Sequence, residues 1–159
     1  MDGRRRYSSL LIGVLVLAGC AGGGSDDDLK RRNRGPTCTP PEPTTISFAA
    51  NIQPIFGTSC ALGGCHAGAI PAGDLDLGPA AARSELVGVA AMQIPSRDRV
   101  VPGDPDASYL VQKIEGTSGI SGQIMPLGCP GAPQGGAVCL NNNQILAIRT
   151  WTSECALAN

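Results

Sequence analysis

Cys60-Ala61-Leu62-Gly63-Gly64-Cys65-His66 is the densest run of reactive side chains in this sequence, and His66 is the single histidine among its 159 residues. Two thiols followed at once by an imidazole can add to the vinyl groups of a porphyrin and place a nitrogen under its iron. The usual spacing for that chemistry is C-x-x-C-H. Here Ala61, Leu62, Gly63 and Gly64 stand between the cysteines, so the extra residues must bulge outward for both sulfurs to reach their vinyl groups. Gly63 and Gly64 make such a bulge sterically cheap, because glycine tolerates positive φ and close approach to a flat ligand. The expectation is one haem c held by Cys60, Cys65 and His66.

A second axial donor would have to be soft. Past the initiator, methionine occurs at Met92 and Met125. Met125 follows the loop Gly119-Ile120-Ser121-Gly122 and precedes Pro126, a stiff segment able to hold a thioether against the open face of the iron. Met92 closes a helical stretch without such a loop and ranks below it. Taken alone, Met125 reads as a gap-filling core residue. Arg97 and Arg99 are candidate partners for the porphyrin carboxylates, or else solvated loop cations. Asp74 and Asp76 lack the other positions of a calcium loop and read as turn residues.

Helical spacing supplies the elements that must position these groups. Phe48, Ile52, Ile55 and Phe56 predict a helix over about 47–59, with Ser47 or Asn51 as N-cap. Pro54 is comfortable there only in the first turn. Asp104 and Pro105 predict the start of a second helix over about 105–116, with Leu110, Val111 and Ile114 buried and Gly116 as its end. Asn141 or Asn142 opens a third over about 142–156, with Ile145, Ile148 and Trp151 inward. A weaker helix is expected at 79–91. No run shows sustained strand alternation, so the expected class is all-α: three to four short helices with long Gly/Pro-rich loops around one haem. Phe48, Phe56, Tyr109 and Trp151 are the only aromatics past residue 45, so a macrocycle would supply apolar contact that side chains do not.

The N-terminus reads as an export signal. Arg4, Arg5 and Arg6 precede an apolar run, Leu10 to Ala18, too short to span a bilayer. Leu17-Ala18-Gly19-Cys20 looks like a lipobox, with residues 1–19 removed and the Cys20 thiol lipidated, a stable anchor when several acyl chains share one residue. No aspartate follows Cys20, which favours an outer membrane, with the chain in the cell envelope and facing the periplasm or the surface. Cleavage takes three arginines and Asp2 from 12 basic and 13 acidic residues, leaving 9 and 12, a net charge of −3. Nothing in that balance suggests nucleic acid. Residues 20–45, with glycine, mixed charge and then Pro36, Pro40, Pro41 and Pro43, read as a spacer, and 46–159 as one domain.

Seven cysteines less Cys20, Cys60 and Cys65 leave four in an oxidising space. Cys129 and Cys139 bracket a Gly/Pro loop just after Met125 and are expected to pair. Cys38 then pairs with Cys155, or stays a free thiol.

The segments Ile52-Gln53-Pro54-Ile55-Phe56, Asp74-Leu75-Asp76-Leu77, Val101 to Pro105 through Ser108-Tyr109-Leu110, Met125-Pro126 and Ile145 to Trp151 together resemble a family. In that order they are similar to the small class I c-type cytochrome domains of the planctomycete and deltaproteobacterial type. The resemblance covers about residues 46–156. It implies a cytochrome c-like fold with its first and last helices crossing, thioethers at Cys60 and Cys65, and axial His66 and Met125.

Two functions follow. The first is a membrane-anchored mono-haem c-type cytochrome, an electron carrier rather than an enzyme, partnered by redox proteins and the membrane and not by a small-molecule substrate. No second histidine and no Ser-His-Asp set is present for catalysis. The alternative is a haem-free lipoprotein binding or structural module with a Cys60–Cys65 disulfide and a surface His66. Zinc at Cys60, Cys65 and His66 lacks a partner pair, and blue copper wants two histidines.

Overall fold

Ser47 opens the first helical segment: its Oγ accepts from Ala50 N at 3.2 Å, while Asn51 Oδ1 accepts from Ser47 N at 2.9 Å. In the computed structural model, which describes residues 38–159, Phe48–Ile52 forms one π-helical turn that runs straight into helix α1, Gln53–Ser59. Pro54 sits in the first turn of α1. The signal segment 1–19, the lipidation site Cys20 and the spacer as far as residue 37 lie outside the described residues.

Helix α2 (Ala82–Leu86) follows a 3₁₀ turn at Ala72–Asp74. Then come β1 (Ala90–Ala91) and β2 (Ile94–Asp98), antiparallel, with Ala90 opposite Asp98 and Ala91 opposite Ile94. Helix α3 (Tyr109–Glu115) ends at Gly116, whose φ of 68° gives the left-handed stop that glycine adopts without strain. Helix α4 (Asn142–Ser153) begins with a capping box, Asn141 accepting from Gln144 N and Gln144 returning a bond to Asn141 N.

The all-α, cytochrome c-like expectation is corrected by this arrangement. Among the described residues, four short α-helices stand beside a two-stranded antiparallel sheet, which makes this a small mixed fold. The reason lies between residues 86 and 100. Helix α2 stops at Leu86, Gly88 takes φ +69°, and the chain turns back through Met92-Gln93. Backbone bonds from Gly88 N to Val100 O, Arg99 N to Val89 O and Val100 N to Leu86 O carry the pairing on past the strands. The helix expected over 79–91 is therefore only Ala82–Leu86. The second helix is shorter too. Asp104 Oδ1 accepts from Ala107 N and caps a separate turn, and α3 starts after Ser108.

One apolar cluster joins these elements. Trp151 and Ile148 of α4 meet Phe48 and Ile52, with Phe56, Leu86, Val100, Val111 and Ile114 in the same body. The Phe48 and Trp151 ring centroids stand 5.2 Å apart. The stretch read as the end of a spacer is fastened to this body. Cys38 is bonded to Cys155, and Glu154 accepts from Thr45 N, Thr45 Oγ1 and Ile46 N. Among the described residues no helix is long and apolar enough to cross a membrane.

Candidate functional site

The segment that follows α1 folds back on itself. His66 N donates to Cys60 O at 3.1 Å, Leu62 N to Cys60 O at 2.9 Å, and Cys65 N to Leu62 O at 2.9 Å. The four residues between the cysteines thus form a closed outward loop, and Gly64 at φ +81° makes its reversal. Gly63 has open space around it. Ala72 N donates to Cys65 O at 2.8 Å and Leu77 N to His66 O at 2.8 Å, which seats the histidine beside the 3₁₀ turn.

His66 Nδ1 lies 2.9 Å from Ala72 O. A carbonyl only accepts, so Nδ1 carries the proton and Nε2 keeps its lone pair, the tautomer a metal-ligating imidazole needs. Burial lowers the His66 pKa; the bond to Ala72 O and the nearby Leu75 carbonyl work against that, and the Arg99 and Lys113 cations reinforce it.

His66 borders a cleft of about 160 Å³. That is smaller than the roughly 300–1,000 Å³ typical of clefts that hold small molecules and cofactors. Leu75, Leu77, Leu86, Leu110 and Ile114 make its apolar walls, and Cys60, Met125, Arg99, Lys113 and Tyr109 also line it. Met125 is delivered by the loop after α3. Met125 N donates to Lys113 O at 2.9 Å, Lys113 Nζ to Ser121 O at 2.9 Å and to Gln123 O, and Ser121 N to Tyr109 Oη at 3.0 Å. Burial lowers the Lys113 pKa.

The remaining sequence candidates are placed as follows. Cys60 faces the cleft, and burial, with the neighbouring Cys65 thiol, pushes its pKa up to about 12. Cys65 does not line the cleft. Its Sγ lies against Gly135, where a Cβ would come within 3.0 Å of it. Cys60 and Cys65 are both unpaired, and Cys129 is bonded to Cys139. Met92 stands at the rim, 57% exposed. Arg97 is outside the lining and donates to Gln112 Oε1 and Gly119 O. Arg99 is inside it and only 8% exposed, but its guanidinium donates to the backbone carbonyls of Gly73, Asp74 and Glu85. Among the described residues no group of three or more His, Cys, Asp or Glu side chains converges to hold a bare metal ion.

Sequence reasoning missed Tyr109, Lys113 and Gln93. Tyr109 and Lys113 stand one helical turn apart on the face that also carries Leu110 and Ile114, and that spacing was available to find them. Gln93, in the hairpin turn, accepts from Tyr109 Oη and carried no such signal.

Chemically, the site offers an imidazole nitrogen, a thioether and a thiol opening on one apolar space with two cations at its edge. The donor set suits an iron porphyrin, with Cys65 the one member held outside the lining. Compared with known protein families, with curated proteins and with solved structures, the chain has no match.

Proposed function

We propose that this chain is a lipid-anchored electron carrier that holds one haem c in the cleft bounded by His66 and Met125. The observation that carries the reading is the bond from His66 Nδ1 to Ala72 O, which leaves Nε2 as a lone-pair donor on a cleft that Met125 shares. Bound there, the haem would supply a one-electron iron couple whose potential methionine ligation raises.

The chain's own residues do the rest. His66 and Met125 would hold the iron, Cys60 and Cys65 would form the thioethers, and Leu75, Leu77, Leu86 and Ile114 would exclude water from the ring. With both axial positions taken no open site for substrate remains, which favours outer-sphere transfer to a protein partner over catalysis. Lys113 has two of its three ammonium hydrogens on Ser121 O and Gln123 O, so the third is free for a carboxylate of the ring. Arg99 has most of its donors on carbonyls already, which leaves it less available for that role than its charge suggests.

The experiment is expression of the full chain with cytochrome c maturation factors, followed by a reduced-minus-oxidised optical spectrum. A low-spin haem spectrum in the wild type, lost or converted to high spin in His66→Ala, is expected. A colourless wild type, or a spectrum unchanged by His66→Ala, would refute the assignment.

A further inference from the structure

Three consecutive residues, Ala72, Gly73 and Asp74, form the turn that faces His66, and all three are exposed to solvent. Apolar packing therefore does little to hold them. Their backbone is also unusual: Gly73 has φ +67° and Asp74 φ +47°, consecutive left-handed residues of which only the first is a glycine. A non-glycine residue there is strained and persists when its surroundings over-determine it. Yet the turn must stay in place, because Ala72 O receives the Nδ1–H of His66 while Ala72 N donates to Cys65 O.

The group that over-determines the turn is the Arg99 guanidinium. Nη2 donates to Gly73 O at 3.1 Å and to Asp74 O at 2.9 Å, while Nη1 donates to Glu85 O at 2.8 Å, bridging the exposed turn to α2. Glu85 closes the bridge from the other side: Oε2 accepts from Asp76 N at 2.6 Å and lies 4.0 Å from Nη1. Arg99 is itself fixed by its main chain, with its N on Val89 O at 2.7 Å and its O receiving Leu110 N at 2.9 Å. A planar fork carries its donors on two separate nitrogens and so reaches carbonyls set further apart than the one nitrogen of an ammonium can serve.

We propose that Arg99 is the positioning residue for His66: by gripping the carbonyls of Gly73 and Asp74 it fixes Ala72 O, and through it the orientation and tautomer of the imidazole. The inference rests on reading His66 as the iron's ligand. It gives Arg99 a role in aiming the nitrogen, distinct from pairing a ring carboxylate.

Because His66 is the single histidine of the sequence, its ring signals need no assignment. The test is a long-range ¹⁵N–¹H spectrum of the full chain as isolated, kept reduced so that any low-spin iron is diamagnetic, in wild type and Arg99→Lys. The wild type should show a protonated Nδ1 whose hydrogen exchanges slowly. Arg99→Lys keeps the charge and loses the fork, so exchange should quicken by on the order of ten-fold, as local opening governs it. A folded Arg99→Lys protein with wild-type Nδ1–H exchange, whatever its melting temperature, would overturn the proposal.

Should the variant not fold, the wild type alone decides. The Arg99 guanidinium hydrogens and His66 Nδ1–H should exchange through one shared opening with the same denaturant dependence. An imidazole hydrogen that exchanges freely while the guanidinium stays protected would overturn it. Haem content of the same samples is read by absorbance. Its absence would remove the functional reading while leaving the Arg99–turn–His66 coupling to be judged on the exchange data.

Discussion

His66, Met125 and Cys60 open on one cleft, and the last two differ from Cys65 in a way that orders the chemistry. Met125 is an uncharged thioether already at the wall of the cleft. For Met125→Ala we expect the haem to remain bound, the potential to fall by on the order of 0.1 V out of the roughly 0.8 V range that axial ligands set, and the iron to accept small external ligands. Potentiometric titration and carbon monoxide binding check this; an unchanged potential and spectrum would remove Met125 from the site. Cys65 packs against Gly135, so its sulfur would have to leave that contact to reach a ring in the cleft. The reactive residues were legible because their types are rare in this chain: one histidine and two methionines past residue 1 leave few combinations. The roles of Arg97 and Arg99 were not legible, since from sequence both read as charged loop residues; Arg97 lies in β2, and only the fold decides that Arg99 grips backbone carbonyls inside the cleft.

At the scale of elements, the helices declared themselves through spacing and caps. The Asn141 capping box and the Gly116 stop are local signals that tertiary packing does not override. The hairpin was hidden for an equally local reason. Ala90-Ala91 is too short to show alternation, alanine is a weak strand former, and the turn at Met92-Gln93 lacks the glycine or asparagine that marks most tight hairpins. What closes it are backbone bonds between Leu86 and Val100, which no side-chain pattern records. The loops that carry Met125 depend on other fastenings. Cys129–Cys139, ten residues apart in sequence, closes the segment just beyond it. Replacing both cysteines by alanine should destabilise the fold by about 2–3 kcal/mol, from the loop-closure entropy returned to the unfolded chain. It should also weaken methionine ligation before the whole molecule melts. Thermal melts followed at a wavelength sensitive to methionine–iron ligation and by far-ultraviolet circular dichroism would separate the two; coincident transitions identical to wild type would contradict this.

Taken whole, the described residues are tied together at their two ends. Cys38 is bonded to Cys155, Ser47 Oγ donates to Asn159 O, and Glu154 receives Thr45 and Ile46. Burial disfavours the ionised Glu154, but the bonds from the Thr45 side chain and the Ile46 and Thr45 backbones outweigh it and set its pKa below the ordinary value. A depressed carboxyl contributes stability above its unfolded pKa and loses it as pH falls through the folded one. Glu154→Gln should therefore be less stable than wild type at pH 7, with the difference vanishing in acid below the folded value. Urea denaturation at several pH values checks this; a difference that persists unchanged into acid would contradict it.

The most direct measurement is the intact mass, under denaturing conditions, of the chain isolated from a cell envelope that matures c-type cytochromes. The account predicts the polypeptide plus one iron porphyrin, retained in Cys60→Ser or Cys65→Ser singly through the remaining thioether and lost when both are replaced. A mass explained by the polypeptide and its lipid alone, with Cys60 bonded to Cys65, would contradict it.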